Sequence, residues 1–165
     1  MRTPKKINEI QLAEQIHKKR MGLATYVNPR TGKEYEYPIF RVASQPVNIV
    51  FAVTESDKVV VIRQYRHGAD AIIYELPGGL QDENESPKEC VARELLEETG
   101  YHSGVIAELL PLPVYFEPGS LDFQFMPFIA FDCRKVKQQE LDAGEDIEVA
   151  VLPIGMSQVS SVNLT

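Results

Sequence analysis

Between Ser86 and Gly100 the chain carries a complete set of helix boundaries, and whatever else it forms must pack against the segment they enclose. Ser86 is a good N-cap, Pro87 suits the first helical position, and Glu89 three residues on completes a capping box. Gly100 is placed to be the left-handed residue that closes the other end. The spacing predicts a helix over 87–99. At roughly 100° per residue, Val91, Ala92, Leu95, Leu96 and Thr99 line one apolar stripe, and Glu94, Glu97 and Glu98 gather on the opposite side. On both sides of this helix the sequence turns β-prone. Strands are expected at Gly22 to Tyr26 and Glu34 to Ala43 around the turn Asn28 to Gly32, then at Val47 to Thr54 and Val59 to Gln64 around the break at 55–58. Further strands are expected at Ile72 to Leu76, Gly104 to Leu112, Phe123 to Cys133 and Ile147 to Pro153. A short helix is expected over 7–20. The pattern is that of an α/β chain with a mixed sheet.

The three glutamates ask for a cation. Like charges four apart on an exposed helix repel by about 0.2–0.5 kcal/mol per pair, and a bound metal reverses that sign. Mg²⁺ takes oxygen ligands, keeps several waters and binds through one or two carboxylates together with substrate phosphates. The alternative is a solvated face, the usual meaning of a Glu-rich helix. Arg93 stands four residues before Glu97 and four after Glu89, so it can brace either carboxylate.

Composition bounds the rest. A chain of 165 residues with 44% hydrophobic content can bury one core, so 1–165 is read as a single domain. There is no run of 18 apolar residues, and the start MRTPKKINEI lacks the apolar run of a signal peptide, so a cytoplasmic protein with no membrane partner is expected. The net charge of -7 argues against a nucleic-acid surface, because such binding rests on Lys and Arg neutralising phosphates. The basic start, with Lys5, Lys6, Lys18, Lys19 and Arg20, reads as a solvated amphipathic segment. Cys90 and Cys133 lack paired or metal-type spacing and read as free buried thiols. His17, His67 and His102 are scattered and carry no assigned role.

The helix also sits in a frame. From Gly79 there are five residues, then Glu85, seven more, then Arg93-Glu94, Leu95, any residue, Glu97-Glu98, any residue and Gly100. This block resembles the Nudix box at every charged and glycine position, with Tyr101 standing where an aliphatic residue is usual. The stretch RQYRHGADAIIYELPGG, Arg63 to Gly79, resembles the approach to the box in ADP-ribose and nucleoside-diphosphate-sugar pyrophosphatases. Beyond the box, Phe116-Glu117-Pro118-Gly119-Ser120 resembles their Pro-Gly loop. Pro118 comes later than in the ADP-ribose pattern, which widens the substrate to a GDP- or ADP-linked hexose.

The resemblance implies an α/β/α sandwich with a mixed sheet and an N-terminal strand-rich arm. Residues 1–45 would pair two subunits into a homodimer, and 46–165 would form the catalytic core. Water would attack phosphorus in ADP-ribose or a nucleoside-diphosphate sugar, giving a nucleoside monophosphate and a sugar phosphate. Two or three Mg²⁺ ions, with Mn²⁺ as a substitute, are implied on Glu94, Glu97, Glu98 and the carbonyl of Gly78; Glu97 could instead pair with Arg93. For substrate, Arg63 and Arg66 offer planar bidentate donors suited to phosphate, joined by Glu75, Pro118, Gly119 and Ser120. The catalytic set is Glu98 and Glu97 with a base from the segment QQELDAGEDIEV, where Glu140 or Glu145 is favoured over Asp142 and Asp146. The family's loop glutamate aligns nearest Ala143, so the choice stays open. Two other functions remain: a nucleoside triphosphate pyrophosphohydrolase, and a non-catalytic module that senses a nucleotide sugar. Relatives commonly continue into a closing helix, so the chain is expected to be shortened or completed differently after the last strand.

Overall fold

The computed structural model describes residues 3–12, 19–42 and 45–154. They fall into two compact units, residues 1–46 with 114–125, and residues 47–113 with 126–165. In chain order the first elements are strands β1 (Lys5–Gln11), β2 (Arg20–Val27), β3 (Glu34–Arg41), β4 (Val47–Thr54), β5 (Lys58–Arg66), β6 (Ala71–Glu75) and β7 (Gly78–Gly79). Helix α1 (Pro87–Thr99) follows, then β8 (Tyr101–His102), β9 (Val105–Glu108), β10 (Val114–Tyr115), β11 (Leu121–Asp122), β12 (Gln124–Lys135) and β13 (Ile147–Pro153). The mixed α/β class is as expected, with α1 the one helix among the described residues.

The first unit is a sheet ordered β1-β2-β3-β11. The helix expected over 7–20 is not there: β1 pairs antiparallel with β2, setting Ile10 opposite Leu23, and residues 13–18 lie outside the described residues. The isoleucines at 7 and 10 suit a helix, but the free edge of β2 offers every other backbone group a ladder partner, and that outweighs a weak local preference. Arg41 at the end of β3 binds both Glu9 (2.7 Å) and Asp122 (2.7 Å), tying the two outer strands of this sheet to its middle. Arg41 and Lys6 together hold the Glu9 carboxyl down at about 2.

In the second unit the sheet runs β12-β4-β5-β13, with β6 on β5, β7 on β4, and β8 and β9 on β12. Strand alternation divides β5. Val60 points to the face covered by α1 and packs with Val91 and Leu95, beside Val50, Ala52, Phe128 and Ala130. Ile62, Gln64 and Arg66 follow it on that face, whereas Val61, Arg63 and Tyr65 point to the other. The strand expected over Gly104 to Leu112 stops at Glu108: Leu109 still donates to the Pro127 carbonyl at 2.9 Å, but Pro127 has no N–H to return, and Pro111 follows shortly after.

Candidate active site on helix α1

Both ends of α1 are fastened as the sequence predicts. Ser86 accepts the Glu89 N–H, and the Glu89 carboxylate takes the Ser86 N–H at 2.9 Å. Gly100 adopts φ 75° and donates to the Leu96 carbonyl at 2.9 Å. With its ends set, the helix presents its acids toward the turn that follows β6. In that turn Gly78 and Gly79 pair with β4, and a Cβ on Gly78 would stand 2.1 Å from the Asn48 carbonyl oxygen. A Cβ on Gly79 would stand 2.2 Å from Glu94 Oε1. No side chain fits at either position, and this is what lets the backbone lie against the carboxylates.

The three glutamates do not share one solvated face. Glu98 is buried, at 5% exposure, and accepts the Gly78 N–H at 2.9 Å. Burial pushes its carboxyl up to about 8, and the neighbouring charges of Glu94 and Glu145 push the same way, while the Gly78 N–H and the charge of Arg66 oppose them. Burial also raises Glu94, again with Glu97 and Glu145 adding to the rise and Arg93 opposing it. Glu97 is half-exposed and, as the alternative reading had it, pairs with Arg93 at 3.1 Å.

Arg93 is the hub. It reaches Glu85 (2.9 Å), Glu94 (2.9 Å), Glu97 (3.1 Å) and the Leu80 carbonyl (3.1 Å). It does not brace Glu89, which the capping box already occupies. Glu85, read from the sequence only as a position in the frame, is held below the usual carboxylate range chiefly by Arg93.

Among the other expected residues, Arg66 and Glu75 pair at 2.8 Å, and both stand on the α1 side of the sheet, since Glu75 lies opposite Ile62. Arg63 stands on the other side. Its guanidinium lies over the Tyr74 ring at 5.3 Å and meets Glu148 at 3.2 Å, the two residues opposite it on the flanking strands. The two arginines therefore do not form one clamp within this unit. Of the loop acids, Glu145 acts electrostatically on both Glu94 and Glu98, and its carboxylate takes the Asp142 N–H at 3.0 Å. Glu140 faces solvent and pairs with Lys137 at 2.5 Å. Pro118, Gly119 and Ser120 belong to the first unit. There they line a cavity of about 320 Å³ with Tyr26, Arg41 and Tyr115, and the Ser120 carbonyl accepts the Phe40 N–H at 2.8 Å.

Among the described residues no group of three or more His, Cys, Asp or Glu side chains is set to hold a metal ion as it stands. Glu94 and Glu97 each give an oxygen to Arg93, and Glu98 gives one to Gly78. The donors nevertheless fit a hard divalent cation. They are all oxygens, and the carboxyls of Glu94 and Glu98, raised chiefly by burial and further by neighbouring carboxylates, are ones whose ionised form a cation would favour.

Comparison with known proteins bears on this arrangement. The chain is 33% identical over 101 residues to an ADP-ribose pyrophosphatase of Bacillus subtilis (strain 168), covering 61% of this chain and 54% of that protein. It is 36% identical over 111 residues to a GDP-mannose pyrophosphatase of Citrobacter koseri, covering 61% of this chain and 55% of that protein. The chain thus spans about half the length of the curated relatives it matches. A crystal structure of an ADP compounds hydrolase superposes with a TM-score of 0.77 at 20% identity, covering 93% of this chain and 80% of that one, which establishes the fold. The NUDIX domain model matches residues 44–156, more than half of the sequence and the whole of α1 with its flanking turns. The chain belongs to the NUDIX domain family.

Proposed function

We propose that this chain hydrolyses the diphosphate bond of ADP-ribose or of a nucleoside-diphosphate sugar, releasing a nucleoside monophosphate and a sugar phosphate. The observation that carries this reading is the buried Glu98, bound to the Gly78 N–H and acted on by the charges of Glu94 and Glu145. Such a cluster suits an anionic substrate only with cations between them. The relatives named for ADP-ribose and GDP-mannose support that substrate class.

Glu94, Glu97, Glu98 and the Gly78 carbonyl would hold Mg²⁺ or Mn²⁺, two or three ions per site. When bound, the metal supplies charge neutralisation to the diphosphate and acidity to the attacking water. Arg93 orients Glu94 and Glu97 through paired hydrogen bonds. On the same side of the sheet Arg66, steadied by Glu75, binds a phosphate oxygen. Glu145 accepts the proton of the attacking water as the P–O bond to the leaving phosphate breaks, and its electrostatic reach to Glu94 and Glu98 favours it over Glu140. Pro118, Gly119 and Ser120 contribute to holding the nucleotide.

We further take residues 1–165 as one functional domain, with 1–45 as an arm for homodimerisation and 46–165 as the catalytic core. The arm supports this by exposing Ile7, Ile10, Tyr35, Tyr37 and Phe40. No described helix is long and apolar enough to cross a membrane. The free thiols Cys90 and Cys133 suit a reducing compartment, so we assign the protein to the cytoplasm, with neither nucleic acid nor membrane as a partner. Incubation with Mg²⁺ and a panel of ADP-ribose, ADP-glucose, GDP-mannose and nucleoside triphosphates, followed by product separation, tests the activity. Turnover confined to the triphosphates, or none at all, would overturn it. Sedimentation at the monomer mass at micromolar concentration would overturn the dimer.

A further inference from the structure

The last four carbonyls of any helix lack partners within it, and in α1 the chain that follows β12 supplies two of them. Glu140 donates its N–H to the Glu97 carbonyl at 2.9 Å. One residue earlier, the Gln139 side chain donates from Nε2 to the Glu98 carbonyl at 2.6 Å and to the Ile147 carbonyl at 3.0 Å. A primary amide has two N–H bonds, and here each has an acceptor. Upstream, Val136 and Lys137 both donate to the Gly100 carbonyl. One carboxamide therefore joins three things: the end of the helix bearing Glu94 and Glu98, the start of the acidic loop, and the first residue of β13.

The loop closed by this contact is the one bearing Glu145. Residues 140–146 leave from Gln139 and return at Ile147, so the amide fastens both ends of the loop at one point on the helix. Within it, Asp142 and Glu145 bond to each other, Glu145 N–H to the Asp142 carbonyl at 2.9 Å and Asp142 N–H to the Glu145 carboxylate at 3.0 Å. That inner turn sets the shape of the loop but does not say where it lies against α1. The Glu140 N–H fixes one end only. The returning end is already held to β5, where Ile147 lies opposite Gln64; the Gln139 amide is the contact that ties that end to the helix as well, two residues from Glu145. It acts on the backbone of Glu98 itself, so the carboxylate in the loop and the carboxylate on the helix are referred to the same point.

We propose that Gln139 is a positioning residue, whose carboxamide sets the distance between the Glu145 loop and the glutamates of α1. The proposal rests on the reading of Glu145 as the base. Three variants test it: Gln139→Met, which keeps the volume and removes both donors, Glu145→Gln, and the pair combined. Loss of the contact lowers kcat by about 10- to 100-fold, the scale of a displacement near 1 Å in a reacting group, and leaves KM within about twofold because substrate contacts are untouched. In the Glu145→Gln background the Gln139→Met change adds no further loss, since a residue that acts only through Glu145 has nothing left to position. Amide hydrogen exchange of 140–147 in the intact protein is the second readout and needs no turnover; it speeds up in Gln139→Met while exchange of 90–96 in α1 does not.

Losses that simply add in the double variant, or unchanged exchange of the loop, overturn the proposal. So does a rise in KM equal to the fall in kcat. Full activity in Glu145→Gln alone overturns the assignment of the base instead, and the exchange measurement then decides whether the tether exists.

Discussion

Replacing Glu98 by glutamine should make the metal-free protein more stable and leave it inactive. The carboxyl is buried and pushed up to about 8 from an ordinary value of 4.5. In the unfolded chain it ionises near 4.5, so at pH 7.5 folding must protonate it, a cost of about 3 pH units or about 4 kcal/mol at 1.36 kcal/mol per unit. Glutamine carries no such cost, and its amide oxygen can still accept the Gly78 N–H. Since the folded value is raised, the stability tied to this group is fully present below about 4.5 and is lost as pH rises through about 8. Urea denaturation in EDTA at pH 5.5, 6.5 and 7.5 reads this directly. The wild type should lose about 1 kcal/mol per pH unit more steeply than Glu98→Gln, and the variant should lead by about 2–4 kcal/mol at pH 7.5. Titrating groups that do not interact with Glu98 are common to both proteins and drop out of the difference. With Mg²⁺ about 100-fold above its Kd the wild type should regain about 2.7 kcal/mol that the variant does not. Parallel pH dependences, or a variant less stable than the wild type at pH 7.5 in EDTA, would refute the reasoning.

Three further outcomes are expected. Gly79→Ala places a methyl 2.2 Å from Glu94 Oε1 and must displace that carboxylate, so Mg²⁺-dependent turnover should fall by about 100-fold or more, as read from initial rates across a Mg²⁺ titration. Ser86→Ala removes the capping box and should cost about 1 kcal/mol in urea denaturation with kcat barely changed. Arg66→Ala should lower kcat/KM for a nucleotide sugar by at least about 10-fold, a loss of about 1.4 kcal/mol, whereas Arg63→Ala should change it far less, because Arg63 points to the opposite face of β5. Equal losses in the two arginine variants would show that strand alternation does not sort them.

Helix α1 was legible in the sequence to the residue, because caps at both ends are written in local chemistry: Ser86, Pro87, Glu89 and Gly100 act over a few residues and need no tertiary partner. The hairpin of β4 and β5 was legible for a similar reason, a β-branched run broken by a polar turn. Strand β1 was not. Ile7 and Ile10 fit a helix as well as a strand, and only the edge of β2, more than ten residues away, decides between them. Within the site, sequence spacing brought Glu94, Glu97 and Glu98 together but could not tell that Glu98 is buried while Glu97 is turned onto Arg93. Burial depends on the Gly78 turn and on β4, which come from other parts of the chain. That Arg63 and Arg66 stand on opposite faces of β5 follows from a rule available in the sequence, since three apart on a strand means opposite faces. Gln139 gave no signal, since a glutamine before an acidic loop has no pattern of its own, and its partners at 98 and 147 meet only in the folded chain.

Helix α1 has no loose end. Its first turn is closed by Ser86 and Glu89, and the carbonyls of Leu96, Glu97 and Glu98 are taken by Gly100, Glu140 and Gln139. Most helices fray from their termini at a free energy well below that of global unfolding, and a metal site near such a terminus would lose its geometry early on heating. Here the terminus is also the anchor of a loop and lies next to β8, so fraying would have to break contacts across the sheet. Catalytic geometry and the fold of this unit should therefore melt in a single step, with no warm, folded and inactive state between them.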